Sequence, residues 1–523
     1  MKYIFVLICC SVISPNLYSQ LYPELDWFKL YNGPSNSYDF LNDMKLNDSG
    51  VYVVGGSFMQ DSTADAILIK YSTTGDSIFS IIYSLQQNVR DEFYSLDIDA
   101  DRDLYLTGVT TLMGNIKKMI FQKYSDTGQL IWQNDFNFKA RGLQVLLDND
   151  DYPVLAYDNW EGPTYAHLVI NAFNPTGDSL WSIVFRDDTS AYGLGYMVKD
   201  NEDYFYTGVL QLQIINGQHI FHSYIADIKN GGLIWYKSLG ERNIRKVILD
   251  KENNIVLFTQ LDSRLYKINS ETGEIIWERN SSNSTNFIQN LYEMTVDEND
   301  NIIITGNNSN TNADIQIQKF STIGEEIWFN NYDSGFDDIP SAIMSDIENN
   351  IYIAGGSIES EGYSYILKYS DLGELKWEYN VNQITYDHLF PFPMILKDSS
   401  LFIGGDPNDS LTKSNIYVMK LDQKFGTGVN DDYQFLNSYE LYQNYPNPFN
   451  PSTRIQYSVS STQKITLKVY DVLGNEIATL VNEEKPAGNY EVEFDGTGLP
   501  SGIYFYQLKA RSFVDTKKMI LLK

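Results

Sequence analysis

Four aspartates recur at one register of a repeated sequence pattern, and carboxylates arranged in this way can bind a cation. They are Asp39, Asp91, Asp338 and Asp387, each 13 or 14 residues before the second strand of its predicted repeat. Clustered carboxylates repel each other unless a cation or hydrogen-bond donors lie between them. If the fold brings them to one side of a channel mouth, we expect a Ca²⁺ or cationic-ligand site there. The alternative is that each aspartate is a turn residue at the exposed start of its strand, where Asp is commonly found.

Aspartate- and asparagine-rich turns between the first and second strands of the repeats superficially resemble calcium loops. The clearest lie at 97–103, 297–301 and 346–350. A calcium loop of the EF-hand type also needs a central glycine and a distal glutamate, which these segments lack. Because Asp and Asn cap turns and tolerate left-handed backbone, the pattern favours structural turns.

The composition argues against several other chemistries. Asp and Glu outnumber Lys and Arg by 68 to 38, a formal charge of −30 that opposes binding to nucleic acid. Four histidines and two cysteines leave little material for a metal centre built on those residues. The sequence contains no nucleophile elbow, Walker A or HExxH pattern. Paired carboxylates for glycoside cleavage remain an open alternative, but so many acidic residues select no particular pair.

An aromatic residue recurs at intervals of roughly one repeat, and in seven cases it follows a glycine by four positions. The eight aromatics are Trp27, Phe79, Trp132, Trp181, Trp235, Trp277, Trp328 and Trp377. A repeated packing contact explains one residue type at a fixed period, whereas a single binding pocket does not. We therefore predict that these side chains dock one repeat unit onto the next.

Each repeat contains four short stretches with strand-like alternation, separated by turn residues, and no helical periodicity occurs. Four antiparallel strands per unit of about 50 residues predict a β-propeller blade. The last repeat, at 389–421, has only three strands, and the missing one occurs at 26–31. We predict that this N-terminal strand completes the last blade and hides its edge. The fold class is therefore all-β, with an eight-bladed propeller over 20–425.

The N-terminus has the pattern of a secretory signal peptide over 1–19, with Lys2 followed by an apolar run and then Ser19 before the cleavage point. The run is too short to span a bilayer, which needs about 20 apolar residues, and no later stretch approaches that length. Cys9 and Cys10 lie within the signal, so the mature chain has no thiol. A lipid anchor at one of these cysteines is the alternative.

The last 84 residues have a different composition, with closely spaced prolines and then alternating strand-like runs. Their motifs lie at 444–453, 469–474, 487–490, 501–506 and 516–523. In number and order these motifs resemble the type A C-terminal sorting domain of the type IX secretion system, over residues 440–523. The short strands with Gly and Pro turns predict a small Ig-like β-sandwich. The resemblance implies export by the Sec route and contact with the outer-membrane type IX machinery.

The same resemblance implies which positions carry the sorting signal. They are Pro446, Asn447, Pro448, Gly474, Gly488, Gly502, Lys517, Lys518 and Lys523. The protein is then expected to be secreted or attached to the cell surface. Residues 426–439, which include two glycines and Asp431-Asp432, are predicted to be an exposed linker between the propeller and this domain.

The repeats resemble exported bacterial propeller repeats of the SBBP and quinoprotein-like types. The resemblance is carried by short sequence motifs, such as the one at 272–277. This resemblance concerns the fold, because one propeller scaffold supports many activities. We expect a non-catalytic exported protein that binds a glycan, a peptide or a protein partner. The alternative is a secreted hydrolase or lyase that acts on polysaccharide. A cofactor is not predicted, apart from the Ca²⁺ considered above.

Overall fold

The computed structural model describes residues 23–522 with internal gaps, and these residues contain no α-helix. The residues outside the description are 1–22, 34–37, 60–62, 87–88, 115, 137, 161–165, 188, 216–217, 261–262, 281–287, 289, 308–313, 358–363, 382–388, 408–415, 424–439, 442–443, 445, 460–462, 473, 486–487, 511–512 and 523. The chain divides into two compact parts, one formed mainly by residues before 430 and one by residues after it. We call them the repeat region and the C-terminal domain. The all-β class is confirmed.

The repeat region consists of units of four antiparallel strands, which pair in sequence order in units 1 to 7. One parallel bridge, between Ala64 and Arg90, joins the sheets of units 1 and 2. Unit 1 contains β2 (Asp39–Asn47), β3 (Gly50–Phe58), β4 (Ala64–Tyr71) and β5 (Ser77–Tyr83). Unit 2 contains β6 (Arg90–Ile98), β7 (Leu104–Leu112), β8 (Ile116–Tyr124) and β9 (Leu130–Gln133). Unit 3 contains β10 (Ala140–Leu147), β11 (Pro153–Asn159), β12 (His167–Phe173) and β13 (Ser179–Phe185). Unit 4 contains β14 (Ser190–Lys199), β15 (Phe205–Ile215), β16 (Gln218–Lys229) and β17 (Gly232–Gly240).

The next three units repeat the pattern. Unit 5 contains β18 (Ile244–Leu249), β19 (Ile255–Thr259), β20 (Arg264–Ile268) and β21 (Ile275–Asn280). Unit 6 contains β22 (Asn290–Val296), β23 (Ile302–Asn307), β24 (Ile315–Phe320) and β25 (Glu326–Tyr332). Unit 7 contains β26 (Asp338–Ser345), β27 (Ile351–Ser357), β28 (Ser364–Tyr369) and β29 (Leu375–Asn380).

Unit 8 takes its strands from both ends of the repeat region. Three come from the end, β30 (Leu389–Lys397), β31 (Ser400–Pro407) and β32 (Ile416–Gln423), and the fourth is the N-terminal strand β1 (Pro23–Tyr31). Strand β1 pairs antiparallel with β32, and Trp27 lies opposite Lys420. The pairing that the sequence predicted for the N-terminal strand is therefore present.

Successive units contact each other through their first strands. Each first strand contacts the first strand of the next unit, in the order β2, β6, β10, β14, β18, β22, β26 and β30. Strand β30 also contacts β2. Apolar cores lie between neighbouring units, because inner strands such as β3 and β4 are buried along nearly their whole length and present apolar residues on both faces. One such core joins Val54 and Leu68 of unit 1 to Phe93 and Leu106 of unit 2. The succession of units therefore returns to its start, as a propeller requires.

The C-terminal domain has two sheets around one apolar core. One sheet contains β33 (Glu440–Leu441), β34 (Ser452–Val459) and β37 (Gly488–Asp495). The other contains β35 (Gln463–Tyr470), β36 (Glu476–Lys485), β38 (Gly502–Ala510) and β39 (Phe513–Leu521). Ile455 and Phe494 of the first sheet share the core with Leu467, Tyr506 and Met519 of the second.

Candidate functional site

The recurring aromatic of one unit packs on the recurring glycine of the next. The indole N–H of Trp277 in unit 5 donates to the carbonyl oxygen of Thr322 at 3.0 Å. Gly324, in the same turn of unit 6, has a φ of 78°, and a Cβ there would lie 2.8 Å from the indole of Trp277. The glycine therefore supplies both a left-handed turn and the space for a neighbouring ring.

The same contact recurs at other boundaries between units. The other indole donors and their carbonyl acceptors are Trp27 to Thr73 (3.0 Å), Trp132 to Pro175 (2.8 Å), Trp235 to Ser270 (2.8 Å) and Trp328 to Asp371 (2.9 Å). Phe79 and Trp181 pack against Gly128 and Gly231. These side chains lie at packing interfaces, and a Trp at such a site contributes both apolar area and one hydrogen bond.

Trp377 differs from the other docking residues. Its side chain is buried, and among the described residues its indole N–H has no hydrogen-bond partner. The unit that follows is unit 8, whose third and fourth strands come from opposite ends of the chain. At other boundaries the acceptor lies in the turn that connects the third and fourth strands of the next unit. In unit 8 these strands are β32 and β1, and the chain does not run directly from one to the other.

A second repeated feature is a β-bulge at the same place in every first strand. The residues that follow the bulges are Asp43, Ser95, Gln144, Tyr196, Lys246, Glu293, Ala342 and Met394. We call them the bulge residues. Bulges redirect side chains and are common near functional sites. The bulge residues are polar in units 1–6 and apolar in units 7 and 8.

The polar bulge residues link successive first strands by hydrogen bonds. Ser95 donates to Asp43 at 3.3 Å, and Lys246 donates to Tyr196 and to Glu293 at 3.0 Å each. Gln144 of unit 3 donates to a backbone carbonyl of unit 4 at 2.9 Å. Hydrogen bonds between bulge residues, or from a bulge residue to the backbone, therefore connect the first strands of neighbouring units.

Lys45, two residues after a bulge residue, interacts with the neighbouring unit. Burial lowers its pKa, but the carboxylates of Asp97 and Asp43 and the hydroxyl of Tyr196 outweigh that effect, so the pKa is raised overall. The same lysine lies 3.7 Å from Asp97. Lys45 of unit 1 therefore interacts with a carboxylate of unit 2.

A depression of about 410 Å³ opens next to this region, between the turns of units 1 and 2. Its lining includes Lys45, Asn47, Asp48, Asp97, Asp99 and Arg102. Asp97 already accepts hydrogen bonds from the backbone N–H groups of Ile98 and Leu147, at 3.1 and 2.9 Å. Asp99 accepts one from the N–H of Asp103 at 2.7 Å and pairs with Lys123 at 3.2 Å. The surface is polar, and these two carboxylates have internal partners.

The sequence-predicted carboxylates lie at the starts of first strands and are buried rather than facing open solvent. Asp39 accepts a hydrogen bond from the N–H of Gly33 at 2.7 Å, and Asp91 accepts one from the N–H of Leu85 at 2.9 Å. Asp338 accepts bonds from both the N–H and the hydroxyl of Ser334, at 2.9 and 2.6 Å. Each therefore binds the loop that precedes its own strand.

Burial raises the pKa of all three carboxyls, and that of Asp39 reaches about 6. Asp387 lies outside the described residues. Over the described ranges, no group of three or more His, Cys, Asp or Glu side chains could hold a metal ion. The Ca²⁺ hypothesis for the four aspartates stays a prediction.

The acidic turns that superficially resemble calcium loops use their aspartates to hold backbone. Asp297 accepts the N–H groups of Asn299 and Asn301 at 2.9 and 2.8 Å. Asp346 repeats the pattern with Glu348 and Asn350. These contacts agree with structural turns.

The prolines and asparagines of the sorting motif form a closed loop within the C-terminal domain. The N–H of buried Asn444 donates to the hydroxyl of Tyr506 at 2.8 Å, and its side-chain amide donates to Thr453 at 3.0 Å. Asn447 accepts the N–H of Ile520 at 3.0 Å, and the ring of Phe449 is buried against Phe494. Pro446 and Pro448 remain exposed.

The other predicted sorting residues lie at turns and strand ends. Gly474 occupies a turn with a φ of 82°, Gly488 begins β37 and Gly502 begins β38. Lys517 and Lys518 lie on β39, and Lys518 is exposed. Lys523 lies outside the described residues.

Residues 443–522 match the model of the secretion system C-terminal sorting domain. The C-terminal domain is a type IX sorting domain. The protein is therefore exported through the Sec route and is then secreted or attached to the cell surface. No curated protein matches the chain in sequence. None of the described residues forms a helix with the length and apolar character needed to cross a membrane.

Solved structures resemble the chain at low sequence identity. Sqt1 from Chaetomium thermophilum aligns with 77% of this chain and 100% of its own, at 9% identity and a TM-score of 0.50. The WD40 domain of SCAP from fission yeast aligns with 76% and 98%, at 8% identity and a TM-score of 0.42. PorZ, a surface component of the type IX secretion system of Porphyromonas gingivalis, aligns with 92% and 86%, at 10% identity and a TM-score of 0.30. The likeness to Sqt1, with the four-stranded sheets, supports a propeller-like fold.

Proposed function

We propose that this protein is an exported, non-catalytic binding protein whose repeat region is an eight-bladed propeller. The contacts of first strands that return from unit 8 to unit 1 support the blade count. The pairing of β1 with β32 supports closure of the ring by the N-terminal strand. An Ig-like sandwich over 440–523, a linker over 426–439 and a cleaved signal over 1–19 belong to the same proposal.

The observation that carries the proposal is the match of residues 443–522 to a secretion sorting domain. A chain that carries this signal acts outside the cytoplasm, where a soluble propeller can present its turns to ligands. The exposed Pro446, Pro448 and Lys518 are our candidates for contact with the secretion machinery. Export is tested by deleting residues 440–523. We expect the truncated repeat region to fold and accumulate in the periplasm, and its appearance in the medium would contradict the proposal.

The ligand surface that we propose is the depression lined by Lys45, Asp97, Asp99 and Arg102. Its lining carries both signs of charge and several hydrogen-bonding groups, which suits a glycan or a polar peptide segment. Because Asp97 and Asp99 are held by backbone N–H groups and lysines, they favour positioning of a ligand over proton transfer.

The binding proposal is tested with the mature protein on glycan and peptide arrays, with Arg102→Ala as the site variant. Arg102 has an exposed side chain, and we expect its loss to weaken the strongest array signal at least several-fold. A reducing-sugar assay on polysaccharides is run in parallel. Turnover in that assay would replace the binding proposal with the hydrolase or lyase alternative.

A further inference from the structure

The third strand of most units carries a buried lysine at one position. It lies opposite one residue of the second strand, and we call the place of that residue the second-strand position. The pairs are Tyr52–Lys70, Tyr105–Lys123, Val256–Lys267, Ile303–Lys319, Tyr352–Lys368 and Phe402–Lys420. Five of these lysines, in units 1, 2, 5, 6 and 7, are no more than 7% exposed. A desolvated ammonium group needs an anionic partner.

The partner in several units is the aspartate of the turn between the first and second strands. The ammonium of Lys267 lies 2.7 Å from Asp250, and that of Lys319 lies 2.7 Å from Asp297. One oxygen of each aspartate binds two backbone N–H groups of the turn, and the other oxygen faces the lysine. The turn carboxylate is therefore neutralised from inside the unit.

Unit 4 reverses the charge at this position, because Asp227 occupies the lysine position opposite Tyr206. The turn aspartate of the unit is Asp200, whose Oδ1 accepts the N–H groups of Glu202 and Tyr204 at 2.8 and 3.0 Å. Its Oδ2, the oxygen that faces a lysine in units 5 and 6, accepts the hydroxyl of Tyr206 at 3.0 Å. Unit 4 therefore places a second carboxyl group at the position that supplies an ammonium group in the other units.

Asp227 is 1% exposed, and its Oδ1 has no hydrogen-bond partner among the described residues. Burial, followed by the negative charge of Asp200, raises its pKa to about 7 against the opposing effect of the Lys229 ammonium. The ammonium of Lys229, two residues along the strand, lies 3.7 Å above the ring of Tyr204. A buried carboxylate with a free oxygen beside a second carboxylate is costly unless a cation joins them.

We propose that Asp200 and Asp227 bind a calcium ion at the place that a lysine ammonium occupies in the other units. Two carboxylates carry a charge that one divalent cation balances. The hydroxyl of Tyr206, which donates to Asp200 at 3.0 Å, adds a neutral oxygen atom. Ca²⁺ prefers such all-oxygen surroundings and tolerates irregular geometry. The ion would neutralise the turn of unit 4 from inside the unit, as the lysines do in units 5 and 6.

The experiment uses the mature full chain, stripped of metal with a chelator. Terbium luminescence, excited through Tyr206 and the nearby Trp235, reports binding, and Ca²⁺ is then added as competitor. The thermal unfolding midpoint is measured with and without 5 mM Ca²⁺, a concentration of about the order that weak extracellular calcium sites require. We expect sensitised luminescence that Ca²⁺ displaces, and a higher midpoint with Ca²⁺.

Asp227→Lys restores the residue type of the other units and is expected to abolish both signals while the chain still folds. Asp227→Asn keeps the size of the side chain and is expected to weaken Ca²⁺ binding about tenfold or more, because affinity follows the ligand charge. It keeps the test decisive if the lysine variant does not fold. Asp338→Asn, at one of the strand-start carboxylates, is the matched control and should keep both signals.

Two results would overturn the proposal. The first is a wild-type chain with no Ca²⁺-dependent change in luminescence or midpoint, which would mean that the two carboxyls share a proton instead. The second is loss of the signals in Asp338→Asn but not in Asp227→Lys, which would assign the ion to the strand-start aspartates.

Discussion

Gly324 in the repeat region and Gly474 in the C-terminal domain have almost the same backbone, with φ angles of 78° and 82°, but different surroundings. A Cβ at Gly324 would lie 2.8 Å from the indole of Trp277, whereas a Cβ at Gly474 would meet nothing within 4 Å. The glycine in the repeat makes room for the next unit, and the glycine in the C-terminal domain only closes a turn. One local signal therefore serves two purposes.

The buried aromatics show the same contrast. Trp277 joins two units of the repeat region, so its contacts hold one unit to another. Phe449 belongs to a loop that folds back on its own domain, and its N–H and carbonyl both bond to the segment around Ile520 and Leu522. A repeat distributes its stability over boundaries between neighbours, whereas a single domain concentrates it in one core.

We expect the largest loss of stability when Trp277 or Phe449 is replaced by alanine. Trp277→Ala and Phe449→Ala should each cost about 3–5 kcal/mol, because a large buried ring is removed. We expect Trp277→Ala to lower the unfolding transition of the repeat region and Phe449→Ala to affect only the C-terminal domain. Denaturant unfolding followed by domain-specific proteolysis measures both. Ile323→Ala, at a residue 62% exposed, is the control. An equal effect of Phe449→Ala on both regions would contradict the comparison.

The two glycines separate a backbone cost from a packing cost. Gly474→Ala should destabilise the C-terminal domain by about 1–2 kcal/mol, the cost of a left-handed conformation alone. Gly324→Ala should cost about 2–5 kcal/mol, because overpacking against Trp277 adds to that backbone cost. Denaturant midpoints of the two variants give both values. Equal costs would show that the indole moves aside freely.

The pH dependence of stability should also differ between the regions. The pKa of Asp39 in the folded repeat region is raised to about 6 by burial. A raised carboxyl pKa favours the folded state at low pH, and that contribution is lost as the pH rises from about 4 through 6. Asp39→Asn, which can still accept the N–H of Gly33, should remove about 1–2 kcal/mol of this pH dependence. Unfolding at pH 4, 5, 6 and 7 measures it.

Asp495 in the C-terminal domain provides the opposite case. Hydrogen bonds from the side chain and then the backbone of Thr497 lower its pKa. Its contribution to stability is therefore present at neutral pH and is lost as the pH falls through the folded pKa. Asp495→Asn should change the profile in the opposite direction from Asp39→Asn and by less, since Asp495 is exposed. A change of the same sign would contradict the assignment.

The smallest expected effect on the free energy of unfolding is at the boundary between units 7 and 8, where Trp377 lies. Trp277→Phe removes the hydrogen bond to Thr322 and should cost about 1 kcal/mol more than Trp377→Phe, whose indole N–H has no described partner. The difference between the two free energies of unfolding is the measurement. If Trp377→Phe costs as much as Trp277→Phe, the N–H of Trp377 has an acceptor outside the described residues.

Much of the repeat region is predictable from the sequence, because strand alternation and the spacing of the docking aromatics are local and repeat many times. The pairing of the N-terminal strand follows from counting strands, since unit 8 lacks one. The sorting motif at 444–453 is recognisable for the same reason: the order of its residues is specific.

The candidate site was less predictable. The strand-start aspartates Asp39, Asp91 and Asp338 were predicted to line one side of a channel mouth, which stays a prediction. Their burial and their hydrogen bonds to their own loops were not predicted. The bulge residues were missed, although in units 2, 4, 5, 6 and 7 they lie ten residues before the second-strand position. A comparison of the repeats at that register could have found them.

The sequence by itself determined the strand order, the period, the docking residues and the address of the protein, because each depends on nearby residues or on a linear motif. Only the tertiary structure decided which carboxylates are desolvated, which lysines neutralise them, and where the pattern changes sign at Asp227. Burial and charge pairing depend on groups on different strands. In this protein the apolar cores join neighbouring units, and the lysine–aspartate pairs join strands and turns within a unit.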